Sequence, residues 1–473
     1  MTAQTETIDK KQVETLRARL RGTLLRPGED GYEESRAAWN LNVRQSPALV
    51  VVAEGVDDVL AAVCFARDEG IGTGVMATGH GVGTPCDGGL LVNTSRMQGV
   101  WVDPVSRTVE AGALWKDVIP AAHAHGLAGL AGSAPHVGVV GYTMGGGFGW
   151  LGRKYGLNST SVTEANVVTA DGELVRASAG ENADLFWGLT GGGGNFGIVT
   201  SLTFRLYPVE SIFGGAVFYT MERAYDVLGR YARWSAGLPD EMTTAVAFMN
   251  IPPLPHLPEP LRGKSVIVVK GCYCGENVLE AGGELFRPVR GSLGAPIVDT
   301  FGRMPAAAMD TISKDPVDPL GIVQHAELLS GLSPDVIDAI IEVAGAGSGS
   351  PLLSVEIRQL GGALTRTLEH LSPMGSGDAR YSLNAIGATF TPEMTQGVET
   401  HVARLIKATR PYGTGETFLN FMEVNPSKDR VRAAYPSDDW EQLAALKRRF
   451  DPRNLFRFNR NIPPSPAAVK GAT

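Results

Sequence analysis

A histidine set between two glycines, in Ala77-Thr78-Gly79-His80-Gly81-Val82-Gly83, is the residue best placed in this chain to do chemistry. It follows an expected strand, Gly72 to Met76, so its ring can stand beside exposed backbone N–H donors. Two further glycine runs follow, Gly145-Gly146-Gly147-Phe148-Gly149 and Gly191-Gly192-Gly193-Gly194-Asn195-Phe196-Gly197. One isolated run would be plain turn chemistry, but several in one half of a chain make a cradle of main-chain amides around a large phosphate-bearing molecule.

That cradle is not a Rossmann site. Gly147 to Gly152 and Gly192 to Gly197 both fit G-x-G-x-x-G, yet the fingerprint needs a strand before it and a long helix after it. The second run follows a helix and leads into a strand, and Arg153-Lys154-Tyr155-Gly156 after the first is no long helix. No G-x-x-x-x-G-K-[ST] is present either.

The elements that must position these loops follow from the apolar pattern. A capping helix is expected over Lys11 to Leu25, then strands at 48–52, 72–76, 89–93 and 108–112, with helices at Val56 to Glu69 and Trp115 to His125. Strands at Glu164 to Thr169 and Ile198 to Leu206 flank a helix over Asn182 to Leu189. Near Pro208 the strands lengthen: Phe213 to Tyr219, Thr243 to Ile251, Ser265 to Cys274, Leu353 to Leu360 and Tyr381 to Phe390. Helices capped by Ser333-Pro334 and Thr391-Pro392 lie among them, which predicts an α+β layer of one sheet with helices on a face. The Pro-rich loop Ile251 to Arg262 and the segment Pro305 to Gly331 read as lids, Trp440 to Phe450 as a basic amphipathic helix, and the tail from Ser465 as disordered.

With 473 residues the chain is too long for one core, and 43% hydrophobic with 19% charged residues is ordinary globular composition. A net charge of −8 argues against nucleic-acid and anionic-membrane partners. The polar start shows no secretory pattern, and four cysteines make neither a disulfide framework nor a zinc site, so a cytoplasmic, metal-free protein is expected, as monomer or homodimer.

In this order and spacing the motifs resemble the berberine-bridge-enzyme-like branch of the vanillyl-alcohol-oxidase flavoproteins. They are Thr78-Gly79-His80, the stretch Val137 to Gly147, Arg153-Lys154-Tyr155-Gly156-Leu157, Val168 to Gly172, Asp184-Leu185-Phe186-Trp187, Gly191 to Gly197, Phe450-Asp451-Pro452 and Asn459-Arg460-Asn461-Ile462-Pro463. The resemblance implies a PCMH-type FAD-binding domain of two α/β lobes, with a substrate domain whose large antiparallel sheet, covered by helices, lies over the flavin. The implied division is residues 1–207 for the FAD domain, 208–425 for the substrate domain and 426–473 for a segment returning to the FAD domain.

His80 is the implied covalent anchor to the flavin 8α-methyl carbon, with the amides of Thr78, Gly79, Gly81, Val82 and Gly83 around the pyrophosphate. Ala134, Val137, Gly138, Gly141, Tyr142, Gly145, Gly146, Gly147, Gly194, Gly197, Ile198 and Asn459 are the further implied contacts. Many members add a second bond from a cysteine in Cys-Pro-x-Val-Gly; here Ala134-Pro135-His136-Val137-Gly138 has none, so a single bond through His80 is expected.

Two tyrosines that can serve as base in the family are Phe148 and Phe418 here, and the His-Arg pair common in its substrate domain is Ser376-Gly377. Strand alternation puts Glu356 with Arg358 on one face, and Tyr381 with Leu383. Glu356, tuned as a base by burial, leads the catalytic candidates, followed by Tyr142 and Asn420, with His136, His325 and Glu327 as other polar groups. Any of them can equally be an ordinary hydrogen-bonded sheet residue. The expected activity is an FAD-dependent oxidoreductase taking hydride from a small alcohol, amine or activated ring carbon, with O2 as acceptor. Non-redox cyclisation or isomerisation on the same fold is the alternative, and a binding protein without turnover a third.

Overall fold

Short apolar runs pair into three sheets among the residues described by the structure, a computed structural model covering residues 8–103, 107–291, 293–366, 372–374 and 377–466. Ser376 and the tail beyond Pro466 lie outside them. The first sheet joins Thr23–Leu25, Leu49–Val52, Leu90–Asn93 and Thr73–Met76, the last three parallel. Leu49 to Val52 is buried on both faces, as a continuous apolar run in a parallel sheet should be.

The expected first helix ends early. It spans Lys10–Arg19, because the chain turns at Gly22 and Leu24 and Leu25 pair with Val51 and Val50 as an edge strand. Asp58 fixes that turn by accepting hydrogen bonds from the amides of Arg21 (2.8 Å) and Gly22 (3.0 Å).

The second sheet is antiparallel, in the order Val100–Val102, Arg107–Glu110, Ile198–Phe204, Val162–Val168 and Leu174–Ser178. The third holds the longer strands: Val298–Asp299, Ser211–Thr220, Ser265–Tyr273, Met242–Asn250, Ser354–Gln359, Tyr381–Ala388 and Ile322–Leu329, with Gly302–Pro305 also on Ser211–Thr220. Helices Ala224–Ser235, Val278–Arg290, Pro334–Ala344 and Pro392–Thr409 cover one face through Val227, Phe286, Ile340 and Val402. Ser333 and Thr391 cap two of them through their side-chain oxygens.

Ile322–Leu329 corrects the reading of 305–331 as a lid: that segment contains the sheet's edge strand. Its sequence, IVQHAELL, mixes polar and apolar residues, which suits an edge and hides the strand from an apolar-run search. The opposite sheet face packs on the glycine-rich half, where Ala245 and Cys272 meet Trp150 and Leu151. Among the described residues no helix is long and apolar enough to cross a membrane.

Candidate active site

The loop after Thr73–Met76 lies against the N-terminal segment. Gly79 has φ +71°, and a Cβ there would come 2.7 Å from Ala38 Cα, so only glycine permits the contact. The Trp39 amide donates to the Gly79 carbonyl (3.3 Å), and the Trp39 ring stacks on the His80 ring with centroids 4.6 Å apart. His80 Nδ1 is 3.0 Å from Thr78 Oγ1, and the His136 ring lies 4.8 Å away. Gly138 packs the turn bearing Ala134, His136 and Val137 onto Ala77 and Thr78. Burial, with His136 adding to it, pushes the His80 imidazole down to about 3, so the ring is neutral near pH 7.

The second glycine run follows the helix Val139–Met144 and is held by Asn420. Asn420 Oδ1 accepts from the Gly147 amide (2.9 Å) and its Nδ2 donates to the Tyr142 carbonyl (3.0 Å). Gly147 has φ +77°, and a Cβ there would meet Tyr142 and Asn158 within 3 Å. The Tyr142 hydroxyl donates to the Leu130 carbonyl (3.0 Å), and burial raises its pKa. Asn420 and Tyr142 therefore shape the loop through main-chain contacts.

The C-terminal segment closes the cradle. Asn459 Nδ2 donates to the carbonyls of Gly194 (2.9 Å) and Phe456 (3.1 Å), and Arg460 Nη1 to that of Gly81 (3.0 Å). Asn425 donates its amide to the Gly83 carbonyl (2.7 Å), while Val82 is half-buried. Lys447, fully buried, donates to the carbonyls of Asn195 (2.7 Å) and Phe456 (2.9 Å) and to Asp451 (2.6 Å). Ile198 is fully buried in the core beside Val51 and Val92, and Gly197 lies against Val167 and Val168, so the side of this run that stays open is at Gly193 and Gly194.

Over the glycine run stands the sheet face that carries no helices. Glu356 and Arg358 do share it, and Lys270 joins them from two strands away, across Met242–Asn250: Lys270 Nζ is 3.0 Å from Glu356 Oε2, and Arg358 Nη2 is 2.6 Å from Oε1. The Arg358 guanidinium lies over the rings of Phe148 (5.2 Å) and Trp150 (5.1 Å). Register places Ser382 opposite Arg358 and Asn384 opposite Glu356.

This corrects the tuning expected of Glu356. Burial does push its carboxyl up, but Arg358 and Lys270 outweigh burial and bring it down to about 2. Tyr381 and Leu383 fall on the helix-covered face, with the Tyr381 hydroxyl 2.7 Å from Ser235 Oγ. His325 and Glu327, 2.7 Å apart, sit in the edge strand with the alternation opposite to Ala326, which shares Glu356's row; they belong to a separate cluster with Glu423 and Arg430.

The comparisons match this architecture. An FAD binding domain model matches residues 47–178, and a model described as berberine and berberine like matches residues 417–463. An FAD-linked oxidoreductase of Dictyostelium discoideum is 27% identical, covering 94% of this chain and 95% of its own length. (R)-6-hydroxynicotine oxidase of Paenarthrobacter nicotinovorans is 28% identical, covering 94% and 97%. The chain carries an FAD binding domain and a berberine-like segment, and over nearly its whole length it is similar to FAD-linked oxidoreductases. The solved xylooligosaccharide oxidase from Myceliophthora thermophila C1 has the same fold, with TM-score 0.83 and 21% identity over 96% of this chain and 100% of that one.

The chain is an FAD-linked oxidoreductase, an enzyme acting on an organic substrate, and its cofactor is FAD. The redox names of its relatives favour oxidation over the non-redox alternative. The residues present fit the dinucleotide. His80 Nε2, both His136 ring nitrogens, Asn459 Oδ1 and Asn461 Oδ1 are buried without a hydrogen-bond partner among the described residues, and a Cβ added at Gly81 or Gly141 would meet nothing within 4 Å. Unanswered polar atoms beside open space are what a phosphate- and ring-bearing ligand satisfies.

Lys270, Trp39, Lys447, Ser382 and Asn384 escaped the sequence reading. Lys270 left a signal, as the lone charge inside the strand SVIVVKGCY. Trp39 left none, because its partner His80 is reached only through the fold.

Proposed function

We propose that this enzyme holds FAD by one covalent bond from His80 and oxidises a small substrate between the glycine run 145–147 and the Glu356–Arg358 sheet face, with O2 as acceptor. The observation that carries this reading is the His80 ring: neutral, packed against Trp39 and His136, with Nε2 unpartnered among the described residues and open space at Gly81. A neutral imidazole has the lone pair a bond to carbon requires. Ala134 offers no thiol, and Cys86 is fully buried with its thiol pushed up to about 12, which makes it inert.

When bound, FAD supplies the hydride acceptor. The chain's own residues do the rest. The amides of Thr78 to Gly83 and of Gly193 and Gly194 bind phosphate and ribose, and Asn420 with Tyr142 holds the run 145–147 in register. Glu356 stays ionised and holds Arg358 and Lys270 in place, a role its low pKa suits better than proton abstraction. Residues 1–207 with 426–473 form the cofactor half, and 208–425 the substrate half.

Acid precipitation of the yellow protein tests the tether. Flavin is expected to stay with the pellet, to map to a peptide containing His80, and to be released from His80→Ala. Flavin mapped to any cysteine peptide would refute the single bond. Anaerobic bleaching by an alcohol, amine or phenol tests the reaction, and no bleaching by any of these classes would sink it.

A further inference from the structure

The sheet face over the glycine run carries more positive charge than the protein answers. Arg358 and Lys270 are both buried there, with side chains 8% and 5% exposed, and among the described residues the charged partner within reach of either is the single carboxylate of Glu356. Two cations against one anion leave one positive charge unbalanced. These two cations are the charged groups that act on Glu356. A buried, uncompensated charge is costly unless an opposite charge joins it.

The unpaired donors point the same way. Arg358 uses Nε and Nη2 on Glu356, which leaves Nη1 available, and Lys270 uses one of its three N–H bonds. Ser382 Oγ and Asn384 Oδ1, in register with Arg358 and Glu356, are buried without a hydrogen-bond partner among the described residues. Ser382 itself is 3% exposed. In register, Ala245 separates Lys270 from Arg358, Ala247 lies opposite Glu356 and Ala326 opposite Asn384, so the neighbours of the charges on this face are small. The rings of Phe148 and Trp150 hold the guanidinium from below.

We propose that Arg358, Lys270 and Ser382 form a carboxylate-binding subsite, and that the substrate of this enzyme carries a carboxylate. This rests on the flavin-oxidase reading and narrows its substrate class. Arg358 and Lys270 supply charge-assisted hydrogen bonds and Ser382 a neutral one, while Glu356 positions both cations without touching the ligand. Asn384 Oδ1 accepts from a donor next to the carboxylate.

The test is calorimetric titration of the purified flavoprotein with benzoate and phenylacetate, each against its neutral amide. The carboxylates are expected to bind at least about ten-fold more tightly, the effect of one charge-assisted hydrogen bond. Lys270→Met should erase most of that preference and leave amide binding and flavin content unchanged. Glu356→Gln adds a second unbalanced positive charge and should tighten carboxylate binding, an outcome that a merely structural role for the cluster does not give. Equal binding of acid and amide by the unmodified protein overturns the proposal, with no variant needed. So does a Lys270→Met variant that keeps the preference while changing only sulfite addition to the flavin, since the charge would then serve the cofactor. A protein purified without flavin refutes the cofactor reading instead, and the heat signal still decides between acid and amide.

Discussion

Lys447 and Lys270 are both buried lysines bonded to a carboxylate, and the protein treats them in opposite ways. Lys447 and Asp451 are each wholly inaccessible, their charges cancel, and two carbonyls complete the ammonium. Asp451 in turn accepts from the amides of Leu455 (2.7 Å) and Phe456 (2.9 Å). Among the described residues the Lys270 ammonium has Glu356 as its one hydrogen-bond partner, Glu356 is shared with Arg358, and the Glu356 side chain remains 14% exposed. A closed, neutral pair fastens one part of the chain to another. An open cluster of unequal charge is built to meet something else.

That contrast can be broken by substitution. Lys447→Met leaves Asp451 charged in the core and cuts the links to Asn195 and Phe456; a loss of about 3–5 kcal/mol is expected in urea or thermal unfolding. Asn420→Ala strips partners from the Gly147 amide and the Tyr142 carbonyl, for a loss of about 1–3 kcal/mol and weaker flavin retention, read by unfolding and by the flavin-to-protein absorbance ratio. Lys270→Met should cost about 1 kcal/mol or less, because Glu356 keeps Arg358 and the excess charge disappears. A Lys270 loss as large as that of Lys447 would erase the distinction between the two clusters.

The smallest effect is a matter of pH. Glu356 is held at about 2 against the ordinary glutamate value of 4.5, so between those limits the unfolded chain binds a proton that the folded chain does not. Its contribution is complete above 4.5 and is lost as pH falls towards 2. Glu356→Gln should flatten that part of the acid unfolding curve relative to the unmodified protein.

The closed features were the more legible in sequence. Strands such as Leu49–Val52 and Ser265–Tyr273 are apolar runs, and the caps at Ser333 and Thr391 are local signals that need no knowledge of the fold. Alternation alone put Glu356 beside Arg358. The open cluster was half visible because its other half depends on register across strands: Lys270 reaches Glu356 over Met242–Asn250, which supplies small alanines between them. The same limit misplaced the tuning of Glu356, since burial was foreseeable and the second cation was not. Phe148 read as the loss of a base; in the fold its ring is a seat for Arg358.

The cradle also has a history in time. Arg460 reaches Gly81 across 379 positions of chain, Asn459 reaches Gly194 across 265, and the Trp39 indole N–H, on the ring stacked against His80, bonds the Val317 carbonyl 278 positions away. A chain that emerges from the ribosome N-terminus first has its glycine loops long before these braces exist. Until residues 459 and 460 are released, a nascent chain has His80 and its glycine loops without the braces that fix them, so the cradle reaches its final form late in synthesis.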